Sequence, residues 1–342
     1  MAISSVLGSS ALLPAGLGFR NTIINGGFDI WQRGTAATTI AITSSSAFLA
    51  DRWQATRGVS GSKQSQISAG LDGFRYGIRI QRDSGNTSTT PIYLSQSFEG
   101  DVAIKLANKP VVLSFYARAG SNYSPTSSFL TVGLGCGTGS EANIIYSSFT
   151  GYTLPILSGA TLTTSWQRFT FVGNIPSGTT QAGLYFAMTP VGTASTNDYF
   201  DITGVQLEQN YQPTPFEQRP IGVELQLCQR YYFRKTATAA YSTFGFGQFG
   251  GTTTTPRASI PFNVSMRVNP TAIDYGGTLN MNQHYVANYT ATSITLNPNN
   301  GIHTTMGEIG FTIPSAGPTA GTFGMFGAGN DSSAYVGFSA EL

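Results

Sequence analysis

Hydrophobic and polar residues alternate along most of the first two thirds of the chain. Between residues 21 and 219, short runs carry an apolar side chain at every second position, and Gly, Pro, Asn or Ser bounds each run. A period of two predicts β-strands with one buried face. Clear examples are residues 74–82, 111–119, 165–172 and 183–189. The spacing and the density of turns predict an all-β fold, an antiparallel sandwich or jelly roll.

One short helix is predicted at residues 220–229, and it follows two closely spaced prolines. Pro220 would occupy the first turn, where its missing N–H costs nothing. Ile221, Leu225 and Cys228 would then share one apolar face. Such a helix either packs under a sandwich or self-associates around a threefold axis. Its position also marks a boundary between two domains.

Residues 230–342 are predicted to form a second, sandwich-like β domain. The run at 258–266 alternates clearly, and Pro256 and Pro261 predict that it is partly an edge strand, because proline cannot donate to a sheet ladder. Further strands are predicted at residues 293–296, 308–313, 321–326 and 334–339.

Charged residues make up only 10% of the chain, well under the usual quarter. The second domain is especially poor in them, and burying surface in an oligomer is one way for such a domain to stay soluble. Of the 18 basic residues 4 are Lys, so 14 are Arg. Arginine tolerates partial burial, which favours charges held in interfaces, with codon bias as the alternative. A net charge of +2 indicates neither a nucleic-acid partner nor membrane insertion.

The first 20 residues carry no charge before Arg20, and they lack the basic region of a signal peptide. They are too short and too rich in Gly and Ser to span a membrane. We expect an extended docking arm that contacts a partner, or alternatively a frayed terminus.

Cys136 and Cys228 lie far apart in sequence. Two buried free thiols are expected rather than one disulfide.

Residues suited to catalysis do not occur in recognisable arrangements. His284 and His303 are expected to be surface loop residues, because a catalytic dyad would need a nucleophile and an orienting acid beside one of them. The sequence contains no HExxH, CxxC or P-loop motif. The glycine-rich stretch 133–139 is predicted as a loop, and neither it nor the stretch 245–251 has a dinucleotide-binding context. None of the 16 acidic residues is flanked in a way that signals a raised pKa, so we expect no enzymatic activity.

Carbohydrate binding is compatible with the many aromatic residues in predicted loops. Sugars are bound by aromatic faces together with planar hydrogen-bonding side chains. Each candidate is alternatively a packing or interface residue. The candidates are Tyr123, Tyr146, Tyr152, Tyr275, Tyr285 and Tyr289.

Several ordered motifs resemble those of a domain found in bacteriophage tail fibre and related virion proteins. The first two are NTIINGGFDIWQRGT at residues 21–35 and ADRW at residues 50–53. The resemblance spans about two thirds of the chain and implies a virion structural protein. The remaining motifs are VVLSFYARAG (111–120), WQRFTF (166–171), YFDITGVQL (199–207), TPFEQRPIGVELQLCQRYY (214–232) and the closing GFSAEL.

The first domain also resembles the galactose-binding-like jelly roll of carbohydrate-binding modules. In those modules, acids near the first and last strands hold a structural calcium ion. Their carboxylate oxygens are the kind of ligand that calcium prefers. The resemblance implies that Asp29 and Asp201 are calcium ligands here. The second acid of the family motif is absent, since Ile202 and Thr203 follow Asp201. In the alternative reading, these two aspartates cap turns or pair with arginine.

The motif residues also have a purely structural interpretation. Trp31 and Trp53 are expected to anchor the core. Arg33 and Arg52 are expected to pair with Asp51 or another acid and to stack on the indole rings. Asn25 and Gly26 are expected to form a tight turn.

The sequence therefore predicts a phage virion protein, a tail fibre component that adheres to a host surface, with glycan as a possible receptor. The expected partners are other virion proteins, contacted through the arm, and further copies of the chain in a homotrimer. A capsid decoration or connector protein is the first alternative, and a carbohydrate-active accessory module is the second. The predicted organisation is a docking arm (1–20), a jelly roll (21–219), a linking helix (220–229) and a C-terminal β domain (230–342).

Overall fold

The protein is described by a computed structural model over nine ranges of the chain. Of the predicted docking arm, residues 1–18 lie outside the described residues. The ranges are 19–34, 38–39, 48–57, 61–144, 149–250, 255–283, 287–296, 303–313 and 318–342.

Within these ranges the chain forms 21 strands and two α-helices, and every strand pair is antiparallel, which confirms the all-β fold class. The strands of the first half are β1 (Thr38–Thr39), β2 (Gln54–Arg57), β3 (Ser62–Leu71), β4 (Phe74–Arg82), β5 (Ile92–Ser97), β6 (Pro110–Ala119), β7 (Phe129–Gly137), β8 (Thr153–Thr161), β9 (Gln167–Asn174), β10 (Gln181–Met188) and β11 (Tyr199–Glu208). Those of the second half are β12 (Tyr232–Thr236), β13 (Thr243–Gln248), β14 (Arg257–Pro261), β15 (Ala272–Gly276), β16 (Leu279–Gln283), β17 (Ala287–Thr290), β18 (Ser293–Leu296), β19 (Met306–Thr312), β20 (Phe323–Ala328) and β21 (Tyr335–Ser339).

The first eleven strands form two sheets that share one core, as in a jelly-roll sandwich. One sheet has six strands in the order β1-β3-β4-β11-β6-β9, and the other has five in the order β2-β5-β10-β7-β8. The alternating runs bury every second side chain between the sheets, with Trp53, Phe115 and Phe186 fully enclosed. The antiparallel sandwich expected from the hydrophobic period is confirmed.

The remaining strands form a second pair of sheets with a core of its own. A three-stranded sheet has the order β12-β21-β15, and a seven-stranded sheet has the order β17-β16-β20-β13-β14-β19-β18. The first core draws on residues 23–207 and the second on residues 233–340. The boundaries at residues 20, 219 and 229 stay predictions.

Most of the glycine-rich stretch 133–139, which was predicted as a loop, belongs to a strand, and so does the first part of the stretch 245–251. Gly133, Gly135 and Gly137 lie in β7, which pairs with both β10 and β8. Gly245 and Gly247 lie in β13 in the same way. In β7 the glycines alternate with buried apolar residues, so the inner face keeps the strand period while the outer face carries no side chain at these positions. The loop prediction failed because glycine weakens the local strand signal.

The predicted edge strand is also wrong. The alternating run forms β14, which is shorter than expected and lies between β13 and β19. Pro256 precedes the strand and Pro261 is its last residue, so neither removes a hydrogen bond from the middle of the ladder.

The predicted linking helix is α2 (Ile221–Gln229), and its buried face agrees with the expected one at Cys228 but not at Ile221. Pro220 is the N-cap and not a residue of the first turn, and its carbonyl oxygen accepts from two amides of that turn. Ile221 is 61% exposed, whereas Glu224 and Cys228 are buried. The helix therefore docks through a carboxylate and a thiol and not through an apolar stripe.

A second helix, α1 (Gly100–Leu106), was not predicted. Its seven residues are too few to establish a helical period. Among the described residues, no helix is both long and apolar enough to cross a bilayer.

Candidate functional site

The motif residues converge on the junction between the two domains. Arg33 and Arg52 both form ion pairs with Glu341, close to the other end of the chain, and the Arg33 Nη2 to Glu341 Oε1 distance is 3.3 Å. The side-chain amide of Gln32 donates to the carbonyl oxygen of Tyr232 at 2.7 Å. Segments that are 200 residues or more apart in sequence are thus held together by polar contacts.

The arginines of the junction stack on tyrosine rings, and the prediction that they stack on indoles is wrong. The Arg33 guanidinium lies 3.5 Å from the ring centre of Tyr232, and that of Arg52 lies 3.6 Å from the ring centre of Tyr231. Trp53 is fully buried as expected, with its Nε1 donating to the carbonyl oxygen of Asn25 at 3.0 Å. The indole of this core residue is therefore enclosed and leaves no face for a cation.

A second group of charges ties α1 to the start of the second domain. The Arg230 guanidinium donates to both oxygens of Glu99, at 2.7 and 2.8 Å, and the Tyr231 hydroxyl donates to the same carboxylate. Burial alone would raise the pKa of Glu99, but the hydrogen bonds from Arg230 and Tyr231 outweigh it and lower that pKa. These contacts agree with the expectation that the arginine excess serves interfaces.

Asp51 is one of two acids, with Asp29, whose raised pKa the sequence did not signal. It is fully buried, and burial raises its pKa to about 6, although Arg33 and the Gln32 hydrogen bonds act in the opposite direction. Its oxygens accept from the Gln32 amide and from the Gln32 side chain, both at 2.7 Å. The chain around it shields the carboxyl from solvent, so its perturbed pKa belongs to the junction and not to an open cleft.

Asp201 does not fit the role of a calcium ligand. Its carboxylate is fully buried, and both oxygens accept hydrogen bonds from guanidinium groups: Arg79 at 2.8 and 3.0 Å and Arg118 at 2.8 Å. Two cations already balance the single negative charge, which leaves little attraction for a third cation. The alternative reading, an aspartate paired with arginine, describes Asp201 as the structure shows it.

Asp29 is exposed, and its surroundings also differ from those of a calcium ligand. Burial of part of the carboxyl and the nearby charge of Glu224 raise its pKa, with Arg75 acting in the opposite direction. None of the described contacts joins Asp29 to Asp201. No cluster of three or more His, Cys, Asp or Glu side chains suitable for a metal occurs among the described residues. Calcium binding by this pair stays an untested prediction that the geometry does not favour.

Both cysteines are buried and free, as expected from the sequence. Burial raises the pKa of the Cys136 thiol to about 12, so the reactive thiolate is not formed near neutral pH. His303 is exposed, and its amide donates to the carbonyl oxygen of Met306 at 2.9 Å. His284 lies outside the described residues.

Most of the tyrosines proposed from the sequence as sugar platforms have structural roles or cannot be placed. Tyr146 and Tyr285 lie outside the described residues. Tyr123 is largely enclosed and packs edge-on against Phe200, with ring centres 6.5 Å apart. Tyr289 packs on Phe249 at 5.5 Å, and the hydroxyl of Tyr275, which is 43% exposed, accepts from the Ile294 amide at 3.4 Å.

Tyr152 is different, because it lies on the outer face of the five-stranded sheet beside two other tyrosines. It is 46% exposed, and its hydroxyl lies near that of Tyr185 on β10. Tyr185 in turn packs edge-on against Tyr93 of β5, with ring centres 6.0 Å apart. We call this surface, defined by Tyr93, Tyr152 and Tyr185, the tyrosine face.

The glycines of β7 form the floor of the tyrosine face. A Cβ atom on Gly133 would lie 2.2 Å from the Tyr185 ring, and one on Gly135 would lie 2.7 Å from the Tyr152 ring. These rings therefore occupy the space that side chains would fill, and they lie across the neighbouring strand. Gly159 of β8 accommodates the 44% exposed ring of Phe129 in the same manner.

One transverse row of residues crosses four strands at the centre of the tyrosine face. Ser95 pairs with Tyr185, Tyr185 with Gly133, and Gly133 with Leu157. Leu157 is 60% exposed, so an apolar strip follows the aromatic rings toward the edge of the sheet. Burial and the neighbouring Tyr185 raise the pKa of Tyr152 to about 12, which keeps its hydroxyl neutral and available as a hydrogen-bonding group.

Aromatic rings with hydroxyl groups, set in a shallow open face, suit a ligand that has both apolar and hydroxyl-bearing sides. The sequence reading found only Tyr152 among these residues. Tyr93 and Tyr185 were missed because alternation assigned them to strands without showing which face is open to solvent. The missed signal was the glycine alternation in β7, which predicts an outer face without side chains.

Comparisons with solved structures return jelly-roll carbohydrate-binding modules as structural neighbours. A CBM4 module is 20% identical, with 55% of this chain and 100% of that chain covered and a TM-score of 0.35. TmCBM61, solved in complex with β-1,4-galactotriose, is 13% identical, with 56% and 100% covered and a TM-score of 0.31. The enzymatically active domain of bacteriophage CBA120 tailspike protein 4 is 12% identical, with 56% of this chain and 22% of that chain covered and a TM-score of 0.35.

All three TM-scores are below 0.5, so we draw no conclusion about this chain's function from the likeness. No family model matches the chain. No curated protein matches it either.

Proposed function

We propose that this chain is a non-enzymatic virion protein, a tail fibre component, that binds host-surface glycan through the tyrosine face. The observation that carries the glycan part is the group Tyr93, Tyr152 and Tyr185, which lies on an open sheet face floored by glycine. Aromatic rings contact the C–H faces of sugars, and the neutral hydroxyls exchange hydrogen bonds with sugar hydroxyls. The ordered motifs that resemble tail fibre proteins support the virion part.

The test of glycan binding uses the purified full chain on a glycan array, followed by calorimetric titration with the glycan that binds best. Truncating a central aromatic anchor typically costs 2 kcal/mol or more, so we expect Tyr185→Ala to weaken binding at least about tenfold. Tyr211→Ala is the matched control, because Tyr211 is 61% exposed in the same domain and lies outside the tyrosine face. Equal affinities for the wild type and Tyr185→Ala would refute the assignment of the site.

The position in the particle needs a separate experiment. We expect labelled antibody against the chain to decorate the phage tail in electron micrographs. Decoration of the capsid together with affinity only for other virion proteins would favour the decoration or connector alternative.

The predicted homotrimer corresponds to three times the 36.2 kDa chain mass by light scattering, and a monomer at micromolar concentration would contradict it.

The absence of enzymatic activity is part of the proposal. The best-defined perturbed acid, Asp51, is enclosed at the domain junction and accepts hydrogen bonds from Gln32. We expect no release of reducing sugar when the protein is incubated with host polysaccharide. Release of reducing sugar that persists in Tyr185→Ala would favour the carbohydrate-active accessory module instead.

A further inference from the structure

A groove of about 420 Å³ lies on the outer face of the seven-stranded sheet, in the second domain and apart from the tyrosine face. It lies over β13, β16, β17 and β20. One row of the sheet defines its floor: Asn280 pairs with Gly327, and Gly327 pairs with Thr243. A side chain at Gly327 would collide with the Ser242 carbonyl oxygen, 2.1 Å from an added Cβ, so glycine allows β20 and β13 to approach closely below the groove. We call this feature the asparagine groove, and it is lined by Tyr241, Thr243, Asn280, Asn282, Asn288 and Met325.

Asn280 lines the groove with an acceptor that has no partner. The side chain is 8% exposed, and its Oδ1 is buried without a hydrogen bond. A buried polar atom of this kind costs free energy until a donor reaches it. Asn280 borders the groove, and a rotation of its side-chain amide would turn this acceptor toward a hydroxyl or N–H of a ligand there, which would recover the cost.

The rim beside Asn280 presents further amide groups in a fixed orientation. The side-chain Nδ2 of Asn282 on β16 donates to Oδ1 of Asn288 on β17 at 2.7 Å. This bond holds both amide planes at one edge of the groove. Planar amides offer donors and acceptors together, which suits a ligand rich in hydroxyl groups.

The opposite side of the groove continues into an exposed aromatic pair. Met325 lines the groove and pairs across strands with Phe246, while Phe323 lies two residues before Met325 on β20. The rings of Phe246 and Phe323 stack with centres 5.9 Å apart and an angle of 24° between their planes. They are 55% and 54% exposed. An apolar platform thus extends from a polar depression.

The groove carries no charged side chain among its described lining residues. A phosphate, sulfate or carboxylate would find no counter-charge there, and the same holds for a cation. The volume lies within the range typical of small-ligand sites and exceeds what a single buried water needs. The combination of an unpaired buried acceptor, paired amides and an exposed aromatic platform favours a neutral, polyhydroxylated ligand.

We propose that the asparagine groove is a second carbohydrate-binding site, specific for neutral oligosaccharides and independent of the tyrosine face. The proposal does not require the first site, since it rests on residues of the other domain. With both sites occupied, one chain would contact two sugar segments.

The test uses the full chain with a panel of neutral tetrasaccharides (α-1,4-gluco, β-1,4-gluco and β-1,4-galacto), with binding measured by calorimetry and by saturation-transfer NMR. We expect Tyr185→Ala, which lacks the first site, to retain binding to at least one tetrasaccharide. Adding Asn280→Ala should weaken that residual binding at least about tenfold. Asn330→Ala is the control, because Asn330 is exposed in the same domain and outside the groove lining. Loss of all tetrasaccharide binding in Tyr185→Ala alone would overturn the proposal.

A second variant guards against loss of folding in Asn280→Ala. Thr243 is exposed, so Thr243→Trp places bulk into the groove without disturbing the core, and it should abolish the same residual binding. An unchanged affinity in Thr243→Trp would overturn the proposal.

The face could instead be an interface between copies of the chain. If Phe246→Ser converts a light-scattering trimer into a monomer, this face is that interface and the proposal is refuted.

Discussion

Single side chains in this protein carry charges that the fold encloses. Asp201 is shared by Arg79 and Arg118, Asp198 is shared by Arg82 and Ser124, and Glu341 is shared by the two motif arginines. Pairing of this kind compensates for the loss of solvation only while both partners are present. The residue types in the motifs could be recognised from the sequence. Their partners could not, because they lie far away along the chain.

The substitution Asp201→Asn distinguishes between two interpretations of Asp201, as a partner of arginines or as a calcium ligand. If the side chain balances the guanidinium groups of Arg79 and Arg118, the substitution should lower the free energy of unfolding by about 3 kcal/mol. The same loss should occur in excess calcium and in excess EDTA, measured by urea denaturation. A wild-type melting temperature that falls on chelation, with Asp201→Asn insensitive to it, would instead support the calcium site.

Asp51 predicts a pH dependence with a definite sign. Its pKa is raised to about 6 in the folded chain, above the ordinary value near 3.8, chiefly by burial. Between these values the folded chain binds more protons at this carboxyl than the unfolded chain does. The free energy of unfolding should therefore fall by about 2 to 3 kcal/mol as pH rises from 4 to 6, and this contribution should then level off.

The readout is the difference in unfolding free energy between the wild type and Asp51→Asn, measured by urea titration at several pH values. The difference removes the contribution of other carboxylates, including Glu99, whose pKa shifts in the opposite direction. The absolute stability of Asp51→Asn is not informative, because an amide cannot accept both Gln32 hydrogen bonds through oxygen. A difference that stays constant from pH 4 to 6 would contradict the raised pKa.

At the scale of elements, strand β7 decides what the five-stranded sheet can present. Its inner face packs into the core through Val132 and Leu134, and its outer face is a line of glycines. The period of two predicted most strands well: β4 and β18 have the predicted bounds, and several others differ by one to three residues at an end. The same period did not predict β7. Its outward positions 133, 135 and 137 are glycines, which do not count as polar residues alternating with the apolar ones.

Gly133→Ala tests whether this floor positions the tyrosine face. The new Cβ would lie 2.2 Å from the far end of the Tyr185 side chain, so the ring must move while the backbone stays in place. We expect glycan affinity to fall at least about tenfold, with little change in melting temperature. Gly222→Ala is the matched control: Gly222 is an exposed residue of α2 with no neighbour within 4 Å of an added Cβ, and the substitution should stabilise the chain by about 0.5 kcal/mol or more without affecting binding. Unaltered affinity in Gly133→Ala would show that the Tyr185 ring position is unimportant.

At the scale of the whole molecule, the two domains are joined by ion pairs between arginines of one domain and a glutamate of the other. Arg33 and Arg52 belong to the first domain, and Glu341 belongs to the second. The proline-rich passage before α2 predicted a domain boundary, which stays a prediction; the two separate cores are seen in the fold. The junction could not be foreseen, since nothing local to residue 341 identifies its partners.

Glu341→Ala should weaken both domains together. It leaves the Arg52 guanidinium, 3% exposed, without its carboxylate, and we expect the free energy of unfolding to fall by about 3 to 5 kcal/mol. In calorimetry the single transition expected for the wild type should move to lower temperature or separate into two. Glu308→Ala is the control, because its partner Arg257 is 53% exposed, and it should cost about 1 kcal/mol or less. Equal effects of the two substitutions would show that the junction does not couple the domains.

The neutral lining of the asparagine groove has a consequence for the conditions under which it can work. Contacts made by amides, hydroxyls and aromatic rings are not screened by dissolved ions, whereas attraction between opposite charges fades within about 10 Å at 0.1 M salt. An adhesive surface of this kind would hold its ligand as firmly in brine as in fresh water. A particle that carries it would then not depend on the ionic composition of the medium in which it meets its host.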